Sequence, residues 1–290
     1  MDFFRVIILG IIEGITEFLP ISSTGHLILA DEFVKLSPES FANAFMVIIQ
    51  LGAILSVVVI SFNKLNPFSK RYLDDRLGER YENFNIQSKI FYLVKYRNPE
   101  IINLWKKIIV GLLPAMVLGL LFDDIIDKYL FNSKTVATTL IFWGIIIILI
   151  EKKNKDKLPR IDNFHDMNYK TALLIGFFQC LALIPGTSRS AATIIGALVL
   201  GCSRIVATEF SFFLAIPTML GATFLKVVKN YGGYSLTQWL LILLGSIVSF
   251  IVAYITVKKL LDFIKKRDFT IFGYYRIVLG IIVFLMIFLR

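Results

Sequence analysis

Long apolar runs separated by shorter polar stretches organise this chain of 290 residues. The longest runs are 41–62, 108–122, 135–150, 208–226, 236–257 and 271–289. Several of them reach the ~20 residues that an α-helix needs to cross the hydrocarbon core of a bilayer. The two shorter runs, 108–122 and 135–150, are expected to extend into their flanks. The pattern predicts an all-α integral membrane protein with six transmembrane helices.

Two further stretches, 3–30 and 171–203, are apolar but interrupted by polar residues. Each is too short for two full spans, which need ~40 residues. Each also contains a helix-breaking proline, Pro20 in the first and Pro185 in the second. We therefore expect two re-entrant helical hairpins, since irregular backbone at membrane depth is tolerated where it is buried in protein or lines a cavity.

The net charge of +10 is concentrated in three segments of a chain that is 57% hydrophobic. Segment 63–107 has ten basic and five acidic residues, segment 151–170 has six and four, and segment 257–268 has five and two. The positive-inside tendency predicts that all three are cytoplasmic. Membrane orientation thus explains the basic charge, and no nucleic-acid partner is expected. A partner-binding role for loop 63–107 stays open.

The two halves of what we expect to be a single membrane domain, 1–290, resemble each other. Connecting the spans through the cytoplasmic segments makes the first hairpin enter from the outside and the second from the inside. The matched positions are Gly10 with Gly176, Glu13 with Gln179, Pro20 with Pro185, and Ser23 with Ser188. We expect an inverted-topology repeat, with half one at 1–150 and half two at 171–290. Such repeats with broken helices place a polar site near mid-depth.

Two carboxylates stand in the first interrupted stretch, EGITEFLPISSTGH at residues 13–26. Glu13 and Glu17 are four residues apart and so share one face of a helix. In a site of low dielectric they repel each other and need a cation, a shared proton or a basic partner. A divalent cation with oxygen ligands, Mg²⁺ or Ca²⁺, is the natural candidate.

Hydroxyl groups and a histidine follow Pro20 in the same stretch. Ser22, Ser23 and Thr24 can each cap the next helix, whose free N–H groups suit an anion. His26 stands three residues after Ser23 and can reach the same ligand. The two cysteines, Cys180 and Cys202, lie in apolar surroundings and are expected to be small core residues.

The second interrupted stretch, PGTSRSAAT at 185–193, repeats this design. Gly186 permits close backbone approach, and Arg189 offers a planar fork matched to phosphate oxygens. The hydroxyl groups that accompany them belong to Thr187, Ser188, Ser190 and Thr193. Two helix N-termini, an arginine, hydroxyls and two acids predict a site for a phosphate or pyrophosphate group.

Both stretches closely resemble the signature motifs of the undecaprenyl pyrophosphate phosphatase family, also called bacitracin-resistance proteins. The first resembles its E-x-x-x-E motif with trailing Ser-Ser-x-Gly-His, and the second its P-G-x-S-R-S-x-x-T motif. The resemblance implies a bacterial inner-membrane enzyme that removes the terminal phosphate of undecaprenyl pyrophosphate, recycles the cell-wall lipid carrier and depends on a divalent cation. It implies active-site status for Glu13, Glu17, Ser22, Ser23, His26, Ser188, Arg189 and Thr193.

Roles for these residues follow from the needs of phosphoryl transfer, which are positioning and charge neutralisation. Arg189 is expected to bind phosphate oxygens, and Glu13 with Glu17 to hold the metal ion. Ser23 is the candidate nucleophile, activated by Glu17 or His26, while direct attack by water remains an alternative. The active site is expected to open to the outer face.

Two other classes of function remain open at this stage. A transporter or flippase for an anionic lipid would use the same broken helices and inverted repeat. A non-catalytic lipid-binding scaffold would leave the polar cluster without a purpose. The residues are also compatible with a monomer or a homo-oligomer.

Overall fold

The computed structural model describes residues 2–31, 33–68, 85–95, 97–130, 132–229 and 233–289. Helices α1 (Asp2–Thr16) and α2 (Ser23–Asp31) form the first interrupted stretch, and α8 (Tyr169–Cys180) and α9 (Arg189–Val199) form the second. The long helices are α3 (Glu39–Ile60), α6 (Pro99–Leu130), α7 (Ser133–Asn154), α10 (Arg204–Lys229), α11 (Leu236–Ile264) and α12 (Thr270–Phe288). Two short helices, α4 (Phe62–Leu65) and α5 (Ile86–Lys95), lie between α3 and α6.

Within the described residues, six helices are long and apolar enough to cross a membrane, and they are the six long helices named above. The prediction of six spans is confirmed, and the two shorter runs extend into their flanks as expected. Both interrupted stretches form a broken pair of shorter helices. Their re-entrant course and the inverted orientation of the two halves stay predictions.

Segment 63–107 is only partly the loop that the sequence predicts, and its residues 69–84 lie outside the described part of the chain. The last residues of the segment belong to α6, which begins at Pro99. The Asn98 side chain accepts hydrogen bonds from the backbone N–H groups of Glu100 and Ile101. This cap, followed by proline at the first helical position, starts the helix earlier than hydropathy alone indicates.

Helices of the two halves meet at very close backbone contacts, in which α1 packs on α11, α3 on α11, α8 on α6, and α7 on α12. Glycine makes this approach possible, as is common between membrane helices. A Cβ atom on Gly176 of α8 would overlap the Gly111 carbonyl group of α6, and one on Gly52 of α3 would overlap Ser246 of α11. These contacts hold the broken helices against the long ones.

Two ion pairs join half one to half two at the end of the long helices that carries the basic segments. Lys64 Nζ donates to both carboxylate oxygens of Glu209, at 2.6 and 2.8 Å. The guanidinium of Arg204 binds the buried carboxylate of Glu151, which also accepts a hydrogen bond from the backbone N–H of Phe269 at 3.1 Å. These contacts fix the relative position of α4, α7 and α10.

Candidate active site

A serine with positive φ ends the break in each interrupted stretch. Ser22 has φ 72° and Ser188 has φ 70°, a region that non-glycine residues rarely adopt. The Ser22 Oγ accepts a hydrogen bond from Gly25 N at 3.3 Å, and the Ser188 Oγ accepts one from Ala191 N at 3.3 Å. Both serines therefore serve as helix N-caps, for α2 and α9 respectively.

These equal conformations correct the predicted match of Ser23 with Ser188, which is wrong by one residue. The same number of residues separates Ser22 from Ser188 as separates Gly10 from Gly176. Aligning Pro20 with Pro185 places Ser23 opposite Ser188. The residue with positive φ defines the turn, however, and aligning the two such residues places Ser22 opposite Ser188. Ser23 and Arg189 are thus the equivalent residues, each the first of its helix.

The Glu17 carboxylate lies between these two equivalent residues. Ser23 Oγ donates a hydrogen bond to Glu17 Oε2 at 2.9 Å, and Arg189 Nη2 donates to Glu17 Oε1 at 3.2 Å. Arg189 Nη1 also donates to the Ser211 carbonyl oxygen at 3.0 Å. A hydroxyl group, a carboxylate that can accept its proton, and a guanidinium are therefore brought together from two distant motifs.

Glu13 is fully buried at 0% exposure, within electrostatic reach of Glu17 and Arg189. Neither of its carboxylate oxygens has a hydrogen-bond partner among the described residues. No group of three or more histidine, cysteine, aspartate or glutamate residues in that part of the chain could hold a metal ion. Two carboxylates still fit Mg²⁺, which is commonly bound through one or two carboxylates plus substrate phosphates. The unpartnered Glu13 oxygens are free to act as such ligands.

No hydrogen bond joins His26 to Ser23 in the part of the chain that the structure describes, and both ring nitrogens of His26 have other partners. Nδ1 lies 2.7 Å from the Ser22 carbonyl oxygen, and Nε2 lies 2.7 Å from the hydroxyl of Tyr275. Of the two bases considered for Ser23, the geometry therefore favours Glu17.

The hydroxyls of the second stretch mostly support the backbone. Ser190 Oγ donates to the Leu19 carbonyl oxygen at 3.0 Å and lies 3.0 Å from Ser188 Oγ. Thr193 Oγ1 donates to the Arg189 carbonyl at 2.9 Å and lies 2.6 Å from the Ser211 hydroxyl. These bonds tie the second break to the first and to α10. On the first side, Thr24 is half-buried in the opening turn of α2.

Arg276 of α12 is a central residue that the sequence analysis did not single out. Its side chain is 0% exposed. Nη1 donates to the Pro20 carbonyl oxygen at 3.3 Å and Nη2 to the Gly186 carbonyl oxygen at 2.8 Å. One guanidinium thus holds equivalent positions of both breaks. A single arginine inside an apolar run of membrane-spanning length was the available signal, because such residues are costly and usually functional.

Comparison with known proteins agrees with the motifs. The family model described as "Bacitracin resistance protein BacA" matches residues 6–282. The chain is 54% identical over 289 residues to "Undecaprenyl-diphosphatase" of Fusobacterium nucleatum, covering 98% of this chain and 100% of the relative. It is 51% identical to "Undecaprenyl-diphosphatase 1" of Clostridioides difficile over 290 residues, 100% of this chain and 97% of the relative. For "Undecaprenyl-diphosphatase" of Enterococcus faecalis the identity is 50%, with coverage of 97% and 96%. The chain therefore belongs to the BacA family of bacitracin-resistance proteins.

Proposed function

We propose that this protein hydrolyses undecaprenyl pyrophosphate to undecaprenyl phosphate and inorganic phosphate in the cell membrane. The observation that carries the proposal is the Glu17 carboxylate, hydrogen-bonded to Ser23 on one side and to Arg189 on the other. Family membership and relatives named for this activity agree with it. The six apolar helices supply the membrane setting that a polyprenyl substrate requires.

Ser23 acts as the nucleophile in this mechanism. Its oxygen attacks the terminal phosphorus, its proton passes to Glu17 Oε2, and the bond from that phosphorus to the bridging oxygen breaks. Undecaprenyl phosphate leaves, and water then releases inorganic phosphate from the serine. Support for this role comes from the 2.9 Å hydrogen bond between Ser23 and Glu17. In the alternative mechanism, Glu17 activates a water molecule and Ser23 only donates a hydrogen bond.

Arg189 neutralises the charge that develops on the phosphoryl oxygens. In the resting site its guanidinium is shared between Glu17 and the Ser211 carbonyl group. Protonation of Glu17 removes the charge that attracts Arg189, so the guanidinium becomes available to the phosphate as the serine attacks. A planar fork that makes two parallel bonds to phosphate gives both charge and orientation.

In this proposal Glu13 and Glu17 are the residues that would hold a divalent cation. It would supply charge neutralisation for the leaving phosphate. What supports this site is the full burial of Glu13, whose oxygens lack partners in the described residues. Withdrawal of divalent ions with a chelator is expected to abolish turnover, and Mg²⁺ or Ca²⁺ to restore it.

The test of the proposed function is phosphate release by the purified protein in detergent with a polyprenyl pyrophosphate. A flippase or a lipid-binding scaffold would release none. Rapid acid quench with labelled substrate is expected to trap phosphate on Ser23, and the label is expected to be absent from Ser23→Ala. Turnover without any trapped label in the first turnover would favour direct attack by water.

The active site is proposed to open to the outer face. A cysteine in place of Thr24, in a background without Cys180 and Cys202, is expected to react with a membrane-impermeant thiol reagent only from outside. Cysteines in place of Lys155 or Asp262 are expected to react only from the cytoplasm, because these positions lie in the basic segments. Reaction of position 24 from both sides would instead indicate alternating access, as in a transporter.

A further inference from the structure

Gln179, in the last turn of α8, is a buried polar residue that the mechanism above does not use. Its side chain is 3% exposed, and neither the amide nitrogen Nε2 nor the amide oxygen Oε1 has a hydrogen-bond partner among the described residues. Buried amides are nearly always hydrogen-bonded, and an unpaired one destabilises the folded state. An unpaired amide at this depth therefore points to a ligand that pairs with it when bound.

Gln179 occupies in the second interrupted stretch the position that Glu13 occupies in the first. Each stands three residues after a glycine, Gly10 or Gly176, whose added Cβ would overlap a long helix of the other half. Each also stands nine residues before the serine with positive φ. The side chains of Glu13 and Gln179 therefore leave equivalent helices on equivalent faces.

Equivalent residues of the two stretches meet around one centre. The Glu17 carboxylate binds both Ser23 and its counterpart Arg189, at 2.9 and 3.2 Å. Glu13 is within electrostatic reach of Glu17 and Arg189, so it faces this centre from the first stretch. Its equivalent, Gln179, faces the same centre from the second, since α8 packs against α9, the helix that begins at Arg189.

The buried atoms without partners among the described residues differ in kind between the two stretches. In the first they are the carboxylate oxygens of Glu13, which only accept hydrogen bonds when ionised. In the second they include the Gln179 amide nitrogen, the Thr187 hydroxyl and Arg189 Nε, all of which donate. Thr187 is 0% exposed. Donors beside a guanidinium suit the oxygens of a phosphate group, whereas paired carboxylates suit a cation.

We propose that Gln179 is a substrate-binding residue, whose Nε2 donates a hydrogen bond to a phosphate oxygen of the pyrophosphate from the side of half two. The inference rests on the proposed phosphatase function, and it adds to the substrate contacts a residue outside both sequence motifs. A neutral amide suits this position. A carboxylate there would repel the anionic substrate and could not donate to it when ionised.

The test measures the Kd of a polyprenyl pyrophosphate in a Ser23→Ala background, which slows removal of the ligand by turnover. Gln179→Met replaces the amide with an apolar chain of similar length. Its Kd is expected to be about 10–100-fold higher, because a hydrogen bond to a charged group is lost. Its melting temperature without ligand is expected to be unchanged or higher, because no unpaired amide remains buried.

Leu181→Met is the matched control, because Leu181 is two residues further along the same stretch and is 38% exposed. It is expected to leave both Kd and melting temperature unchanged. Wild-type Kd in Gln179→Met would overturn the inference. A lower melting temperature of ligand-free Gln179→Met, with Leu181→Met unchanged, would mean that the amide stabilises the fold and would overturn it as well.

Gln179→Glu distinguishes a phosphate contact from a cation contact. This variant is expected to lose affinity for the polyprenyl pyrophosphate at least as strongly as Gln179→Met. Tighter binding by Gln179→Glu in the presence of Mg²⁺ would mean that this position holds the cation, and would refute the donor role.

Phosphate release by protein with native Ser23 distinguishes this failure from failure of the proposed function. If wild-type protein releases no phosphate, the phosphatase proposal fails. If wild-type protein is active and Gln179→Met binds the lipid with unchanged Kd, only the role of Gln179 is refuted.

Discussion

Replacing Arg276 separates its effect on activity from its effect on stability. Arg276 is buried without an ion-pair partner among the described residues, and its hydrogen bonds go to three backbone carbonyl groups, those of Pro20, Gly186 and Thr139. Arg276→Met removes these donors, which costs about 1–3 kcal/mol for each buried group left unpaired. The same change also removes a buried charge, whose desolvation costs several kcal/mol.

These two energies oppose each other, so the apparent melting temperature of Arg276→Met is expected to change by only a few degrees. Activity has no such compensation. The two breaks lose a guanidinium that binds a carbonyl group in each of them, and the anionic substrate loses a nearby cation. If the lost positioning is worth ~3 kcal/mol, turnover falls about 100-fold or more. Arg276→Lys is expected to fall between Arg276→Met and wild type, because one ammonium cannot reach both carbonyls in the forked geometry.

The assay is phosphate release under saturating substrate, with melting followed by tryptophan fluorescence in the same detergent. Arg267→Lys is the matched control, since Arg267 lies in the exposed basic segment beside α12. A large fall in melting temperature that accounts for the lost activity would refute the reasoning, and so would wild-type turnover in Arg276→Lys.

Three other changes test the site and the packing. Ser23→Ala is expected to lower turnover at least 10²-fold and to leave the melting temperature unchanged. Ser22→Gly keeps a residue that accepts positive φ and loses only the cap, so it is expected to lower the free energy of unfolding by a few tenths of a kcal/mol and to keep most activity. Equal effects of the two variants on turnover would contradict the roles assigned here. Glu13→Gln is expected to raise the Mg²⁺ concentration needed for half-maximal activity without unfolding the protein, and an unchanged Mg²⁺ titration would exclude Glu13 as a ligand. Gly176→Ala is expected to destabilise the protein by several kcal/mol, because the added Cβ overlaps Gly111 of α6. Gly221→Ala is expected to be neutral or stabilising, because there is open space around Gly221 and alanine favours helix. Melting curves of the two variants test this difference in stability.

The helices could be predicted from sequence because their length and apolar character are local properties. The breaks at Pro20 and Pro185 were readable for the same reason. The match of Ser23 with Ser188 failed because positive φ at Ser22 is set by the whole turn and its cap. A proline indicates that a helix ends but not which later residue takes the left-handed conformation.

The contacts that complete the site connect residues too distant in sequence for any spacing rule. Arg276 stands in an apolar run, where an average over the segment hides a single charge. The pairing of His26 with Tyr275 and the hydrogen bond from Arg189 to Glu17 depend on how α12 and α9 pack against the first break. The two motifs predicted which residues would meet, but only the fold assigns Ser23 to Glu17 and His26 to Tyr275.

The equivalence of Ser23 and Arg189 means that the two halves divide the chemistry between them. At the positions of Glu13 and Glu17, half two has Gln179 and Leu183. In the proposed mechanism, half one thus contributes the two acids and the nucleophile, and half two contributes Arg189 and Arg276. Two identical copies of either half would surround the centre with like groups, four acids or four arginines. In the proposed mechanism the site therefore needs two halves of different sequence, so that asymmetry between the halves is a condition of catalysis.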